Sequence, residues 1–414
     1  MTEMNNKHVL IVGGGIAGIS AALPLSRFGM EITIIESAPF AGGHAVQFAC
    51  KATDSCVKCG ACQAEERLYT ATRNEAINIR TASRISDVSA NGRLSVETRT
   101  DAQFIDPAKC TGCGECLAAC KVPGAVVRGY SPYNHPPFVI DGKVCKGAAG
   151  ENCDTCVAVC PEAAVSLDSS GSEETLEVDA VIVATGFKAF HPVEKPYKYK
   201  KFDDVLTNLD LERMIKQQNA VVRPSDGKTP SEVGFIQCVG SRDDKLGHLW
   251  CSQVCCGSAL RMANWIRASQ PDTRISVFYI DIQTFGRQFE SFYAEARRNF
   301  EFIRTIPGDV YLSEDYRLQV NYFDPEQGKP EVKELDLLVL SVGLTPQRDN
   351  RELGDIFGIS PGDSGFFAEN SGQDGSHTGG IFFAGAATGP MSIADTIAGA
   401  ESCAWDVLQY LKCC

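Results

Sequence analysis

The sequence contains no apolar run approaching the roughly 18 to 20 residues that cross a bilayer. Any work at a membrane therefore has to pass through a partner. Basic residues are in deficit: 39 Lys and Arg stand against 52 Asp and Glu, a formal charge of -13. Proteins that grip phosphate backbones carry the opposite surplus, so nucleic acid is not expected as a partner. Residues 1–30 lack the basic start, apolar stretch and small-residue cleavage site of a secretory signal. The expected location is the cytoplasm. Histidine is scarce, with 6 copies at no metal-ligand spacing. Cysteine is abundant instead, with 19 in 414 residues. The number is odd, and the chain is far longer than the small disulfide-stapled scaffolds. Its length allows two or three domains, each with its own core.

Residues 8–36, HVLIVGGGIAGISAALPLSRFGMEITIIE, read as strand, glycine turn, helix and second strand. Gly13, Gly15 and Gly18 form GxGxxG between the first strand and the helix. A tight turn, close backbone approach to a pyrophosphate and tight helix packing each require a missing side chain. The helix N-terminus then faces the phosphates with its partial positive charge. Glu36 ends the second strand, where a carboxylate can accept hydrogen bonds from ribose hydroxyls. FAD is favoured over NAD by Gly42 and Gly43 in ESAPFAGGHAV, and by VIVATGF and GGIFFAGAATG further on. These resemble later signatures of flavoproteins with two dinucleotide-binding domains. The expected cofactor-binding set is Gly13, Gly15, Ile16, Ala17, Gly18, Glu36, Gly42, Gly43, Thr185, Gly186, Gly385, Ala386 and Ile393. Such enzymes usually carry Asp where this chain has Ala386, and a backbone N–H could take over its contact to the ribityl chain.

Cys110, Cys113, Cys116 and Cys120 give CxxCxxCxxxC, and Cys145, Cys153, Cys156 and Cys160 follow, with Pro161 after the last. Thiolates at these spacings can wrap three corners of a cubane, the fourth Cys of each motif reaching the other cluster. The expected ligand sets are Cys110, Cys113, Cys116 and Cys160 for one 4Fe-4S cluster, and Cys145, Cys153, Cys156 and Cys120 for a second. A pair of structural zinc sites is the plainer alternative. The second motif departs from the usual pattern, since seven residues separate Cys145 from Cys153. Cys50, Cys56, Cys59 and Cys62 sit just after the second glycine pair. These four could hold a further cluster, or Cys56, Cys59 and Cys62 one completed by a partner subunit; a zinc ion or free or redox thiols are the alternatives.

A hydride-transferring relative would carry a second GxGxxG after the strand near 233. VGFIQCVGSR has only Gly234 and Gly240 there, so NAD(P)H binding is not expected. Cys238, Cys251, Cys255 and Cys256 stand in the same region. By spacing alone, a cluster and a vicinal Cys255–Cys256 redox disulfide are equally good readings.

FIQCVGSRD, CSQVCC, VFYIDIQTFGRQFESFY and the tail GIFFAGAATGPMSIADTIAGAESCA resemble the A subunits of heterodisulfide reductases, and the similarity covers nearly the whole chain. The resemblance implies an α/β, thioredoxin-reductase-like flavoprotein with two dinucleotide-binding domains and an inserted α+β ferredoxin-like domain. It also implies a 4Fe-4S cluster on Cys238, Cys251, Cys255 and Cys256 close to FAD. Where the family has a Lys approaching the flavin, five residues after the cysteine pair, this chain has Arg261, which joins the expected cofactor-binding set. Arg keeps the charge but not the proton chemistry of Lys. In layout the chain resembles the short members of the family, the A subunits of quinone-interacting membrane-bound oxidoreductases of sulfate reducers. That likeness implies three partners: a second flavoprotein, a heme-bearing membrane subunit that would hold the complex at the inner face of the membrane, and adenylylsulfate reductase as electron partner.

The expected domains are 1–105 and 166–230 for the FAD-binding unit and its return with a linker, 106–165 for the ferredoxin-like insertion, 231–330 for a second α/β unit with a degenerate nucleotide site, and 331–414 for the last part of the FAD unit. Short strands are expected over 81–104 with a turn at Asn91 and Gly92, and loops at 223–231 and 369–380. The expected function is flavin and iron-sulfur electron transfer in a multi-subunit oxidoreductase. A soluble heterodisulfide-reductase-type flavoprotein, with electron bifurcation among its chemistries, is the first alternative. An assembly scaffold whose cofactors do not turn over is the second.

Overall fold

The computed structural model describes residues 4, 6–90, 93–283, 289–367 and 379–413. The expected turn at Asn91 and Gly92, and residues 369–378 of the expected loop, lie outside them.

The elements that position the site are, in chain order, β1 (His8–Val12), α1 (Ile16–Ser26), β2 (Glu31–Ile35), α2 (Ala61–Thr72), β3 (Ile77–Arg80), β4 (Ala180–Val183), β5 (Val205–Thr207) and α3 (Asn208–Gln218). They continue with β6 (Glu232–Val239), α4 (Cys255–Ser269), β7 (Arg274–Phe278), α5 (Phe289–Asn299), β8 (Glu301–Ile303), β9 (Leu337–Val342), β10 (Ile381–Phe383) and α6 (Ile393–Cys413). Two parallel sheets result. The first has the order β10, β4, β1, β2, β3, and the second β5, β9, β6, β7, β8.

Continuous apolar strands follow from burial on both faces. In β1, Val9 and Ile11 pack towards α1, α2 and α6, while Leu10 and Val12 pack on the other side against Ile85, Val96 and Val178. Helix α1 (IAGISAALPLS) is small and apolar around most of its surface because it lies between the sheet and α6. The second sheet repeats the arrangement, with Val233, Phe235, Leu337 and Val339 under α3 and α4.

The strands Leu94–Thr100 and Ser172–Val178 pair antiparallel, Leu94 opposite Val178 and Thr100 opposite Ser172. Everything between 101 and 171 is therefore an excursion from neighbouring strand ends. Ile105 bridges Val165 at its neck. In two respects the architecture differs from the expected partition: β5 and α3, expected within the FAD-binding return and linker at 166–230, belong to the second sheet and its helical cover, and so does β9. Strand β9 lies between β5 and β6 in the second sheet, not in the first, although its segment is expected from sequence to close the FAD-binding unit. A fully buried parallel strand reads the same in either sheet, so its sequence carries no label for one of them.

Candidate functional site

The first sheet's carboxyl edge opens into a cavity of about 1010 Å³, a size suited to a large cofactor. Gly13, Gly15, Ile16, Ala17, Glu36, Gly43, Thr185, Gly186, Arg261, Ala386 and Ile393 line it. Gly18, Gly42 and Gly385 stand behind the wall. A Cβ on Gly18 would lie 2.0 Å from the Gly13 carbonyl oxygen, and one on Gly385 2.4 Å from Cβ of Ala17, so both are packing glycines. Gly15 is different: the nearest atom to its Cβ position is Cα of Gly43 at 4.0 Å, and the side chain would project into the cavity. This is a backbone cradle of the kind a pyrophosphate requires. Glu36 accepts from the Gly14 N–H at 2.8 Å and the Ala38 N–H at 2.7 Å. Burial nevertheless raises its pKa above the ordinary carboxylate value, the backbone donors offsetting part of the effect.

The opposite wall comes from the second unit and from the segment after Gly43. It includes His44, Lys51, Asn208, Glu212, Gly257 and Phe289, none of them expected from the sequence. Lys51 and Glu212 form an ion pair at 2.7 Å, each side chain 3% exposed. Arg261 donates through Nε to the Val57 carbonyl at 2.9 Å. No spacing rule announces these residues, because they meet only when the two units close on each other.

The inserted segment gathers its cysteines in two sets. Cys110, Cys113, Cys116 and Cys160 ring one small cavity with Phe138 and Pro161. Burial raises the Cys116 thiol pKa, and the adjacent Cys110 and Cys113 add to the rise. Cys156 is likewise raised by burial, with Cys145 and Cys120 beside it. The two halves repeat a local device: Cys110 N–H donates to Asp106 O at 3.0 Å, and Cys145 N–H to Asp141 O at 2.8 Å. The seven-residue gap before Cys153 folds into a compact turn. Ala149 donates to the Cys145 carbonyl, and a Cβ on Gly147 would lie 2.1 Å from the Cys153 carbonyl oxygen. The long spacing is thus taken up without separating its ends.

Cys238, the penultimate residue of β6, has a left-handed conformation, φ 59°, and Cys251 precedes α4, which begins at Cys255 and Cys256. The four thiols lie close enough to act on one another electrostatically. Burial pushes Cys255 well above the ordinary thiol value and Cys256 up to about 11. Cys255 and Cys256 are separate thiols. Gly240, the glycine left after β6, is no open cradle: a Cβ there would lie 2.1 Å from the Phe190 ring. Cys56 and Cys59 line the large cavity, and Cys62 lies in the first turn of α2. Cys50 is exposed. Among the described residues, no three His, Cys, Asp or Glu side chains converge as they would around a single metal ion. No described helix is long and apolar enough to cross a membrane.

Residues 7–222 match the pyridine nucleotide-disulphide oxidoreductase family. The A subunit of the H(2):CoB-CoM heterodisulfide,ferredoxin reductase of Methanothermobacter thermautotrophicus is 33% identical over 413 residues, 95% of this chain and 62% of that protein. The iron-sulfur A subunit of the CoB-CoM heterodisulfide reductase of Methanocaldococcus jannaschii is 34% identical, over 96% of this chain and 63% of that one. The chain thus spans somewhat under two thirds of these relatives' length. Among solved structures, thioredoxin reductase of T. acidophilum superposes with a TM-score of 0.55 at 15% identity, covering 98% of this chain and 99% of that one. Thioredoxin reductase of Lactococcus lactis gives 0.52 at 13% identity, with the same coverage of 98% and 99%. These likenesses show the fold.

Proposed function

The chain belongs to the pyridine nucleotide-disulphide oxidoreductase family and is a flavoprotein of the heterodisulfide reductase A type; from that premise we propose that it is the FAD and iron-sulfur electron-transfer component of a multi-subunit complex. It is a flavin-dependent oxidoreductase subunit. The observation that carries the reading is the wall opposite the glycine cradle. There the second unit presents Gly257 and Arg261 of α4, the helix that begins with two cysteines, while the Phe190 ring packs against Gly240 in the turn after β6.

Bound in the large cavity, FAD would supply the exchange between paired and single electrons. The Gly13–Gly18 turn and the α1 N-terminus hold the pyrophosphate, and Glu36 accepts ribose hydroxyls. Cys110, Cys113, Cys116 and Cys160 hold one 4Fe-4S cluster in the insertion, and Cys145, Cys153, Cys156 and Cys120 a second. Cys238, Cys251, Cys255 and Cys256 hold a third beside the flavin cavity, and Cys56, Cys59 and Cys62 are candidates for a further one. The partners are a second flavoprotein and a heme-bearing membrane subunit, with electrons passing between a quinone pool and adenylylsulfate reductase. The chain itself lies on the cytoplasmic side, held at the membrane through its partner.

The similarity to heterodisulfide reductase A subunits favours a second reading, in which the chain is a heterodisulfide-reductase-type flavoprotein working with soluble partners. Purification of the native complex separates the two. A heme-bearing membrane protein in it supports the first, and soluble partners alone support the second. Cys255→Ser tests the core of both: iron content and transfer between flavin and clusters should fall together. Unchanged iron with normal transfer refutes the cluster at α4, and unchanged iron with lost transfer points to a Cys255–Cys256 disulfide.

A further inference from the structure

Arg261 lies at the boundary between two cysteine groups. It is on α4, less than two turns after Cys255 and Cys256, and its Nε donates to the carbonyl of Val57 at 2.9 Å. Val57 belongs to the loop that carries Cys56 and Cys59, both on the wall of the large cavity. Val57 and Arg261 are 204 residues apart in the chain, so this hydrogen bond fastens the loop of the first unit to a helix of the second.

The helix is shaped for the contact. Gly257 precedes Arg261 by four residues and therefore lies on the same face of α4. A methyl group at Gly257 would come 2.8 Å from Nη1 of Arg261. The missing side chain leaves a notch in which the guanidinium lies. Cys59 and Glu212 are the charged or ionisable groups that act on it, and Glu212 is itself tied to Lys51, six residues before Val57. Both ends of the 51–57 segment are thus held by the second unit, one through Lys51 and Glu212, the other through Arg261 and Val57.

We propose that Arg261 is the positioning residue of the Cys56–Cys62 loop, pinning the Val57 carbonyl to α4 so that Cys56 and Cys59 stay on the cavity wall. A lysine at this place would offer a point charge without the planar fork, whose Nε can bond the loop while Nη1 rests against Gly257. The clamp stands on the geometry alone. What the loop does with its thiols rests on the iron-sulfur reading above.

Hydrogen exchange on the full chain tests the clamp. Arg261→Gln should accelerate exchange of residues 55–60 about tenfold or more, because a carbonyl loses a charge-assisted donor and the loop opens locally. Strand β7, buried and outside the cavity lining, serves as the internal reference and should keep its rate. Gly257→Ala, which retains the guanidinium but fills its notch, should accelerate the same residues by less, and Arg261→Lys should fall between Arg261→Gln and the parent. A paramagnetic signal that disappears in Cys59→Ser should broaden or shift in Arg261→Gln. Parent exchange rates at 55–60 in Arg261→Gln would overturn the proposal, whatever happens to the flavin. If Cys59→Ser removes no signal, the cluster reading of the loop fails, while the exchange rates still decide the clamp.

Discussion

Lys51 and Glu212 face each other across the junction of the two nucleotide-binding units, Nζ lying 2.7 and 2.8 Å from the two carboxylate oxygens. The pair is fully partnered: Lys51 also donates to the Ala49 carbonyl at 2.9 Å, and Glu212 accepts the Ala49 N–H at 3.2 Å. Breaking one side of such a pair leaves a charge buried without compensation. Glu212→Ala should cost about 3–5 kcal/mol, and replacing both residues by apolar ones of similar volume much less. Urea unfolding of the parent and the two variants measures this. Equal losses in the single and double variants would show that the pair acts through packing instead.

The glycines of the first turn should separate into two classes. Gly18→Ala drives a methyl group against the Gly13 carbonyl and should destabilise the protein by about 1–3 kcal/mol or more. Gly15→Val places its side chain in the cavity and should leave the flavin-free protein within about 1 kcal/mol of the parent. It should nevertheless abolish flavin binding. Thermal melts and flavin content after gel filtration distinguish the two, and stoichiometric flavin in Gly15→Val would reject the cradle.

NADH and NADPH should not bleach the flavin of the isolated protein, because the turn after β6 lacks a second GxGxxG and the Phe190 ring packs against its Gly240. Anaerobic mixing reads this directly. Rapid, complete bleaching by either nucleotide would mean that another part of the second unit binds it.

The crossed ligand sets of the insertion predict which variants share a phenotype. Cys113→Ser and Cys160→Ser, 47 positions apart, should alter one and the same cluster signal, since both thiols line one cavity. Cys120→Ser and Cys156→Ser should alter the other. Each change removes or converts a centre of about four irons. If Cys160→Ser groups with Cys156→Ser in paramagnetic resonance and iron analysis, the crossing is wrong.

The sequence by itself determined what local rules can express. GxGxxG between an apolar strand and a small-residue helix specifies the turn, because backbone geometry there tolerates no side chain. The cysteine spacings mark the insertion, whereas the shared backbone device at Asp106–Cys110 and Asp141–Cys145 appears only in the folded chain. The lack of a second fingerprint after β6 was also legible, although the packing of Phe190 against Gly240 was not. Tertiary structure decided the rest. Strand β9 stands in the second sheet, which its sequence did not announce because buried parallel strands carry no mark of their sheet. Lys51, Glu212 and the Arg261–Val57 contact lie where two units meet, with partners 161 and 204 residues apart. Periodicity and spacing report only neighbours along a strand or helix, whereas a junction between units is fixed by how their surfaces close, which is a property of the folded chain alone.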